Sequence, residues 1–309
     1  YLPIEINGDI SLPVVKTKIA DDKSARIFLK ELGIPELDIV EEVIKYVIPK
    51  YSSTSKPPSL KDHLSDIDKI QHAYKTDSQD KKNRLYKALE KSAFILAEIN
   101  GSNEITYRKP SEVYFFNEKL KIYFEGNISV GFVSSNYSDS LFNLFRDLGV
   151  RNKVKVIKKN SDPRGFVIIR DYYADHKRGL NGFDPDIQIE GLEHALKSPS
   201  LEKSAYIWNT IAIPNSDCIR GIVEKSTNQN YLNSEKKEVI SEFGRLLMEN
   251  SWLPDVNGVF KKPSQLYIDE LPELFKSDKK LENLLGFKKN MVAELAEKVG
   301  IHAEDINFI

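Results

Sequence analysis

A stretch that occurs twice limits what this chain can fold into. Leu89 to Tyr114 reads LEKSAFILAEINGSNEITYRKPSEVY, and Met248 to Tyr267 reads MENSWLPDVNGVFKKPSQLY. Both pass from a helical end through Glu-x-Ser, an apolar strand, an Asn-Gly turn and a second strand to Lys-Pro-Ser-x-x-Tyr. Asn-Gly tolerates the positive φ angles of a tight turn, so Asn100-Gly101 and Asn257-Gly258 each predict a β-hairpin. Four extra residues between Gly and Lys-Pro in the first copy predict a longer arm or a bulge. Pro110 and Pro263 fix φ at the hairpin exit, and the Ser after each is expected to cap the next turn. Tyr114 and Tyr267, at the same place in both copies, are expected to share one packing role.

A second repetition overlays the first. Leu32-Gly33-Ile34, Leu148-Gly149-Val150, Leu285-Gly286-Phe287 and Val299-Gly300-Ile301 each place Gly just past a helix and an apolar residue after it, as a left-handed C-cap with its hydrophobic contact requires. These spacings are domain-sized, too long for a short-period solenoid. Helix pairs alternating with hairpins predict an α+β fold of elongated tandem units and argue against a doubly wound parallel sheet. The expected division is 1–25 as the end of a preceding repeat, 26–137 as repeat unit 1, 138–287 as repeat unit 2 with a β-rich insertion at 152–186, and 288–309 as a C-terminal helix.

Several elements follow from periodicity. Ile39, Val40, Val43, Ile44, Val47 and Ile48 fall at helical spacing behind an acidic first turn, and Pro49 is expected to stop that helix. Ser59 and Asp62 predict a capping pair. Asp77 to Lys91, Ser138 to Leu148, Ser198 through Trp208 and Ser234 to Asn250 read as helices, and Lys119 to Val133 as strand. Trp208 and Trp252 read as core anchors. The five histidines are dispersed, without a zinc-binding pair, and read as surface or capping residues.

Composition narrows the function. Of 309 residues, 45 are Lys or Arg and 46 Asp or Glu, so no global field draws the chain to nucleic acid or a membrane. One cysteine, Cys218, excludes an internal disulfide. No apolar run approaches the ~18 residues that span a bilayer, and a cytoplasmic location fits best. The chain opens at Tyr1, and Tyr1-Leu2-Pro3-Ile4 resembles a continuation of Lys-Pro-Ser-x-x-Tyr, so a fragment of a longer protein is expected.

The segments KPSEVY, LKIYFEGN, RGLNGFDPD, LEKSAYIWN and NSWLPDVNG together resemble the bacterial sacsin-like and NO VEIN-like large ATP-binding proteins, in the region downstream of their GHKL-type ATPase domain. The resemblance runs from Tyr1 to about Asp305. It implies a chaperone-like ATP-binding domain upstream, sometimes a nuclease-like domain downstream, and in some bacterial relatives a link to defence. The Asp-x-Gly-x-Gly segment of that family's ATP site has no counterpart in this chain, so no cofactor is expected here.

Two constellations carry competing chemistry. Residues 151–178 hold nine basic side chains against three acidic ones. Among them Arg151, Lys153, Lys155, Lys158, Lys159 and Arg164 could neutralise phosphates while Tyr172 and Tyr173 stack on bases. The alternative is an edge strand whose lysines deter pairing. Asp171, Asp175, His176, Arg178, Asp184 and Asp186 crowd a Gly-containing loop; they suit either magnesium-assisted hydrolysis or plain turn formation. No catalytic, cofactor or metal residue is assigned. The leading expectation is a non-catalytic interaction module whose partners are the other domains of its parent protein or a protein client. Nucleic-acid binding is the first alternative and a metal-dependent hydrolase the second.

Overall fold

The computed structural model describes residues 15, 19, 22–34, 38–52, 57–100, 104–127, 129–158, 180–184, 186–226 and 234–289. The terminal segments 1–25 and 288–309 lie almost wholly outside these residues, so the readings placed on them do too. The architecture is α+β, with small and chiefly antiparallel sheets. The chain divides into two compact units, residues 1–116 with 128–152 and residues 117–127 with 153–309. It therefore crosses between units three times.

In the first unit α1 spans Lys23–Glu31, and the Asp22 carboxylate accepts from the Ala25 N–H at 2.8 Å. α2 (Ile39–Glu42) comes next. Its periodicity is as expected, but Pro49 does not stop the helix. The turns widen to a π-helix at Val43–Val47 and tighten to a 3-10 helix at Ile48–Tyr51. A wide turn ahead of proline removes the clash between its ring and the carbonyl four residues back, and so lets the helix pass. Beyond it lie α3 (Leu60–Tyr74), capped by Ser59 as predicted, and α4 (Gln79–Leu89).

α4 delivers the first hairpin, β1 (Ile95–Ile99) against β2 (Ile105–Arg108), with Ile95 opposite Arg108. With β3 (Val113–Tyr114) and β4 (Gly131–Val133) it forms a sheet in the order β2-β1-β4-β3. The segment expected to be strand from Lys119 is instead α5 (Glu118–Tyr123). Asn117 decides this: its side-chain oxygen accepts from the Lys119 N–H at 2.9 Å and so starts a helix. α6 (Phe142–Asp147) and the turn after it pack Leu144, Phe145 and Leu148 into the same core as Phe94, Leu96 and Val113.

In the second unit β5 (Val156–Lys158) pairs with β7 (Ile187–Ile189), and β6 (Leu180–Asp184), β8 (Arg220–Ser226) and β9 (Ser234–Ile240) form a three-stranded sheet. The helix expected from Ser234 thus begins only at α9 (Glu242–Glu249). Pairing of β9 with β8 along all seven residues satisfies the backbone and overrides the helical preference of Glu-Lys-Lys-Glu. α7 (Leu192–Lys197) and α8 (Leu201–Tyr206) precede this hairpin. Ser200 caps α8, so Pro199 lies outside the helix rather than at its first position.

The duplication is structural as well as sequential. α8 continues as a π-helix at Ile207–Ala212 and a 3-10 helix at Ile213–Cys218 containing Pro214, repeating the course of α2. β10 (Leu253–Pro254) and β11 (Phe260–Lys261) form the second hairpin, with Gly258 at φ +77°. Each Lys-Pro-Ser opens a 3-10 turn, but Ser is not its cap. Glu112 accepts from the Lys109 N–H, and Gln265 from the Lys262 N–H, both at 3.2 Å. Tyr114 then bridges in parallel to Arg151, and Tyr267 to Lys288, two residues past the Leu-Gly endings of α6 and α10 (Lys279–Leu285). The two tyrosines share this backbone role only: Tyr114 is buried and Tyr267 is 40% exposed.

Gly244 sits inside α9 where a Cβ would collide with the Ile219 carbonyl oxygen. Gly→Ala normally stabilises a helix by about 1 kcal/mol. We expect Gly244→Ala to reverse that sign and cost about 2–3 kcal/mol in urea unfolding. A neutral or stabilising result would disprove this close approach.

Candidate functional site

Residues far apart in sequence converge in the first unit on a buried hydrogen-bond relay. The π and 3-10 turns of α2 aim Tyr51 at α3, where the Tyr51 hydroxyl meets His63 Nδ1 at 2.8 Å and Asp66 Oδ2 at 3.1 Å. Lys50 donates to Asp66 Oδ1 at 2.7 Å. On the other side His63 Nε2 meets the Tyr137 hydroxyl at 2.6 Å, and that oxygen accepts from the Leu96 N–H of β1 at 2.7 Å.

Counting protons fixes every direction. The Asp66 carboxylate only accepts, so the single proton of Tyr51 points to Asp66. Nδ1 of His63 must then carry the ring proton, leaving Nε2 to accept from Tyr137. The relay runs Leu96 N–H to Tyr137 to His63 to Tyr51 to Asp66 without an unsatisfied step. Tyr51 and Tyr107 stand edge-on to the imidazole, with ring centroids 5.6 and 5.0 Å away. Burial pushes His63 down to about 4 against the smaller opposing pull of Asp66. Burial, reinforced by Asp66, raises the Tyr51 hydroxyl far above its ordinary value, and burial also raises Tyr137. His63 is thus a neutral core residue, not the surface or capping residue expected.

Tyr137 is also the floor of an open cleft of about 750 Å³. Phe115, Phe116 and Phe142 wall it, with Phe115 edge-on to Phe142 at 5.2 Å and Phe116 edge-on to Phe132 at 6.0 Å. Phe116 and Phe142 stay 56% and 41% exposed, and together with Phe115 they make a contiguous apolar surface rather than scattered single residues. Glu98, Asp139 and Arg146 supply its charge. Glu98 lies directly across from Phe132 in the β1–β4 pair, which places it on the aromatic face. Its Oε1 accepts from Ser134 Oγ and the Ser135 N–H, both at 3.0 Å, and from Ser135 Oγ at 3.2 Å.

The residues singled out in the sequence fall elsewhere. Arg151 belongs to the first unit, where its guanidinium donates to the Ser111 carbonyl. Lys153, Lys155 and Lys158 belong to the second unit. Lys153 and Lys158 are exposed, while Lys155 is half-buried and its carbonyl accepts from the Glu190 N–H at 3.0 Å. Lys159 and Arg164 lie outside the described residues, as do Asp171, Asp175, His176 and Arg178. Asp184 lies in β6. Asp186 is buried, and its Oδ1 accepts from the Ile187 N–H at 2.8 Å immediately before β7. Among the described residues no three His, Cys, Asp or Glu side chains converge as metal ligands. Nor, among them, is any helix long and apolar enough to cross a membrane.

Glu98, Phe116, Phe142 and the relay were not foreseen from the sequence. The available signal was Phe115-Phe116 directly after the first Lys-Pro-Ser-x-x-Tyr, where the second copy carries Ile268-Asp269. Comparison with protein-family models, with curated proteins and with solved structures finds no match in any of the three.

Proposed function

We propose that this chain is a non-catalytic interaction module, part of a larger sacsin-like, chaperone-like ATP-binding protein, and that the cleft of its first unit is where a protein segment docks. The exposed aromatic cleft carries this reading: Phe116, just past β3, and Phe142, the first residue of α6, remain open to solvent beside Tyr137, which the relay holds in place. Preorganised aromatic walls favour binding because little side-chain freedom is lost when a partner arrives. The family part of the reading rests on the quoted sequence segments, and the duplicated helix, hairpin and bridge arrangement is compatible with it.

Selecting a random peptide library on the intact chain tests the docking role. Enriched peptides should lose at least about tenfold in affinity to the Phe116→Ser, Phe142→Ser double variant. The melting temperature should stay close to the parent value, because both rings are largely exposed. Failure to enrich any peptide, or binding indifferent to the double change, would refute it.

A second reading, nucleic-acid binding, draws on the exposure of Lys153 and Lys158. Labelled single- and double-stranded DNA and RNA distinguish it at two salt concentrations. Saturable, salt-sensitive binding lost on changing both lysines to Glu would favour that reading.

A further inference from the structure

The cleft's walls and its charge together specify a ligand chemistry. Glu98 is held by three donors that all converge on one oxygen, Oε1. Among the described residues none donates to Oε2. The carboxylate is therefore immobilised with one side of its hydrogen-bonding capacity unspent. The side chain of Asp139, also on the cleft, has no hydrogen bond or ion pair from any described residue. The one cation among the lining residues is Arg146, which donates to Asn143. Two carboxylates against one guanidinium leave the cleft acidic beside three phenylalanine rings.

We propose that the cleft receives an arginine side chain presented by a partner polypeptide, its guanidinium on Glu98 Oε2 and Asp139 and its planar face on the phenylalanine walls. A guanidinium is the cation this arrangement suits. It is planar, so it stacks on aromatic faces, and it carries donors along more than one edge, so two carboxylates bind it at once. Its weak hydration lowers the cost of leaving water beside apolar walls. The apolar walls also accommodate flanking aliphatic residues, which supports a peptide segment over a lone cation. This assignment rests on the docking reading above and adds the identity of the anchoring group.

The test is an NMR or calorimetric titration of the intact chain with Gly-Ser-Leu-Arg-Leu-Ser-Gly and with the same peptide carrying citrulline, the neutral isostere of arginine. The arginine peptide should bind at least about tenfold more tightly than the citrulline peptide and weaken as salt rises. Glu98→Gln and Asp139→Asn should each reduce arginine-peptide affinity severalfold, leaving citrulline-peptide binding unchanged. The amide introduced by Glu98→Gln retains an oxygen for the Ser134 and Ser135 donors, and an unchanged melting curve verifies that the turn is intact. Equal binding of both peptides, lost together on Phe116→Ala, would overturn the arginine assignment while leaving the docking reading standing. Binding of neither peptide by a chain that retains its library-selected binders would also overturn the arginine assignment alone. Loss of library binders as well would overturn the reading beneath it.

Discussion

Trp208→Ala should destabilise the second unit by about 3–5 kcal/mol, a large share of the roughly 5–15 kcal/mol that holds a typical domain folded. Trp208 is fully buried in the π-helical turn and gathers three separate parts of the chain. Its ring lies 6.3 Å from Trp252 beside the second hairpin, 6.0 Å from Phe275 and 5.9 Å from Phe287 beyond α10. Its Nε1–H donates to the Lys276 carbonyl at 2.8 Å. Removing the ring leaves a cavity among three aromatic neighbours and strips a carbonyl of its donor. Neighbouring Asn209 reinforces the same loop, donating to the Leu274 carbonyl and accepting from the Lys276 N–H, both at 2.9 Å. Urea denaturation followed by circular dichroism measures the effect, and Trp208→Phe should recover most of it. A cost below about 1 kcal/mol for Ala would show that the second unit's stability resides elsewhere.

The next largest effect concerns acid. His63 stays neutral in the fold down to about 4, whereas an unfolded histidine takes up its proton near 6.5. Between those values the unfolded chain binds more protons than the folded one, so stability rises with pH across the window. The contribution is fully present above about 6.5 and lost as pH falls through the window to about 4, roughly 3 kcal/mol in all. Asp66, bonded by Lys50, works against the loss, while Tyr51, Tyr107 and Tyr137 offer the imidazolium no counter-charge. Protonated, Nε2 would also become a donor, so the Tyr137 hydroxyl would have to accept from it and its own proton would lose its acceptor at the cleft floor. Urea unfolding at pH 7 and pH 4.5 for the parent and for His63→Gln isolates the contribution. The parent should lose more stability than the variant by most of that amount; an equal loss in both proteins would assign the acid sensitivity to other groups.

The parts of this architecture that local chemistry specifies were legible in the sequence. Asn257-Gly258 turns because glycine accepts positive φ, and Gly149 and Gly286 end their helices at φ +101° and +70° for the same reason. Ser59 caps α3 by reaching three residues along the chain. What escaped depended on distant partners. The β9 strand is set by β8, although Glu-Lys-Lys-Glu alone prefers a helix. The His63–Tyr137 bond joins residues 74 apart, and no local pattern announces such a pair. Glu98 reads as an ordinary outward strand residue until β4 places Phe132 beside it. The π turns before Pro49 and Pro214 were within reach, since both proline residues follow Ile at the end of an apolar helical run. The rule that proline stops helices hid them.

The excursion of residues 117–127 into the second unit sets a timetable for synthesis. Leu120, Tyr123 and Phe124 are buried there, with Tyr123 donating to the Glu190 carbonyl at 2.9 Å and its ring 5.3 Å from Tyr206. When residue 127 leaves the ribosome, Tyr206 of α8 is 206 − 127 = 79 residues from emerging. At about 5–20 residues per second that is a wait of roughly 4–16 s. The first unit needs residues 128–152 to complete its sheet and core, and these emerge long before the partners of Leu120, Tyr123 and Phe124 in the second unit. During synthesis the apolar side of α5 is therefore made well before its partners, and a chaperone that shelters α5 over that interval should raise the yield of folded protein without touching its final stability.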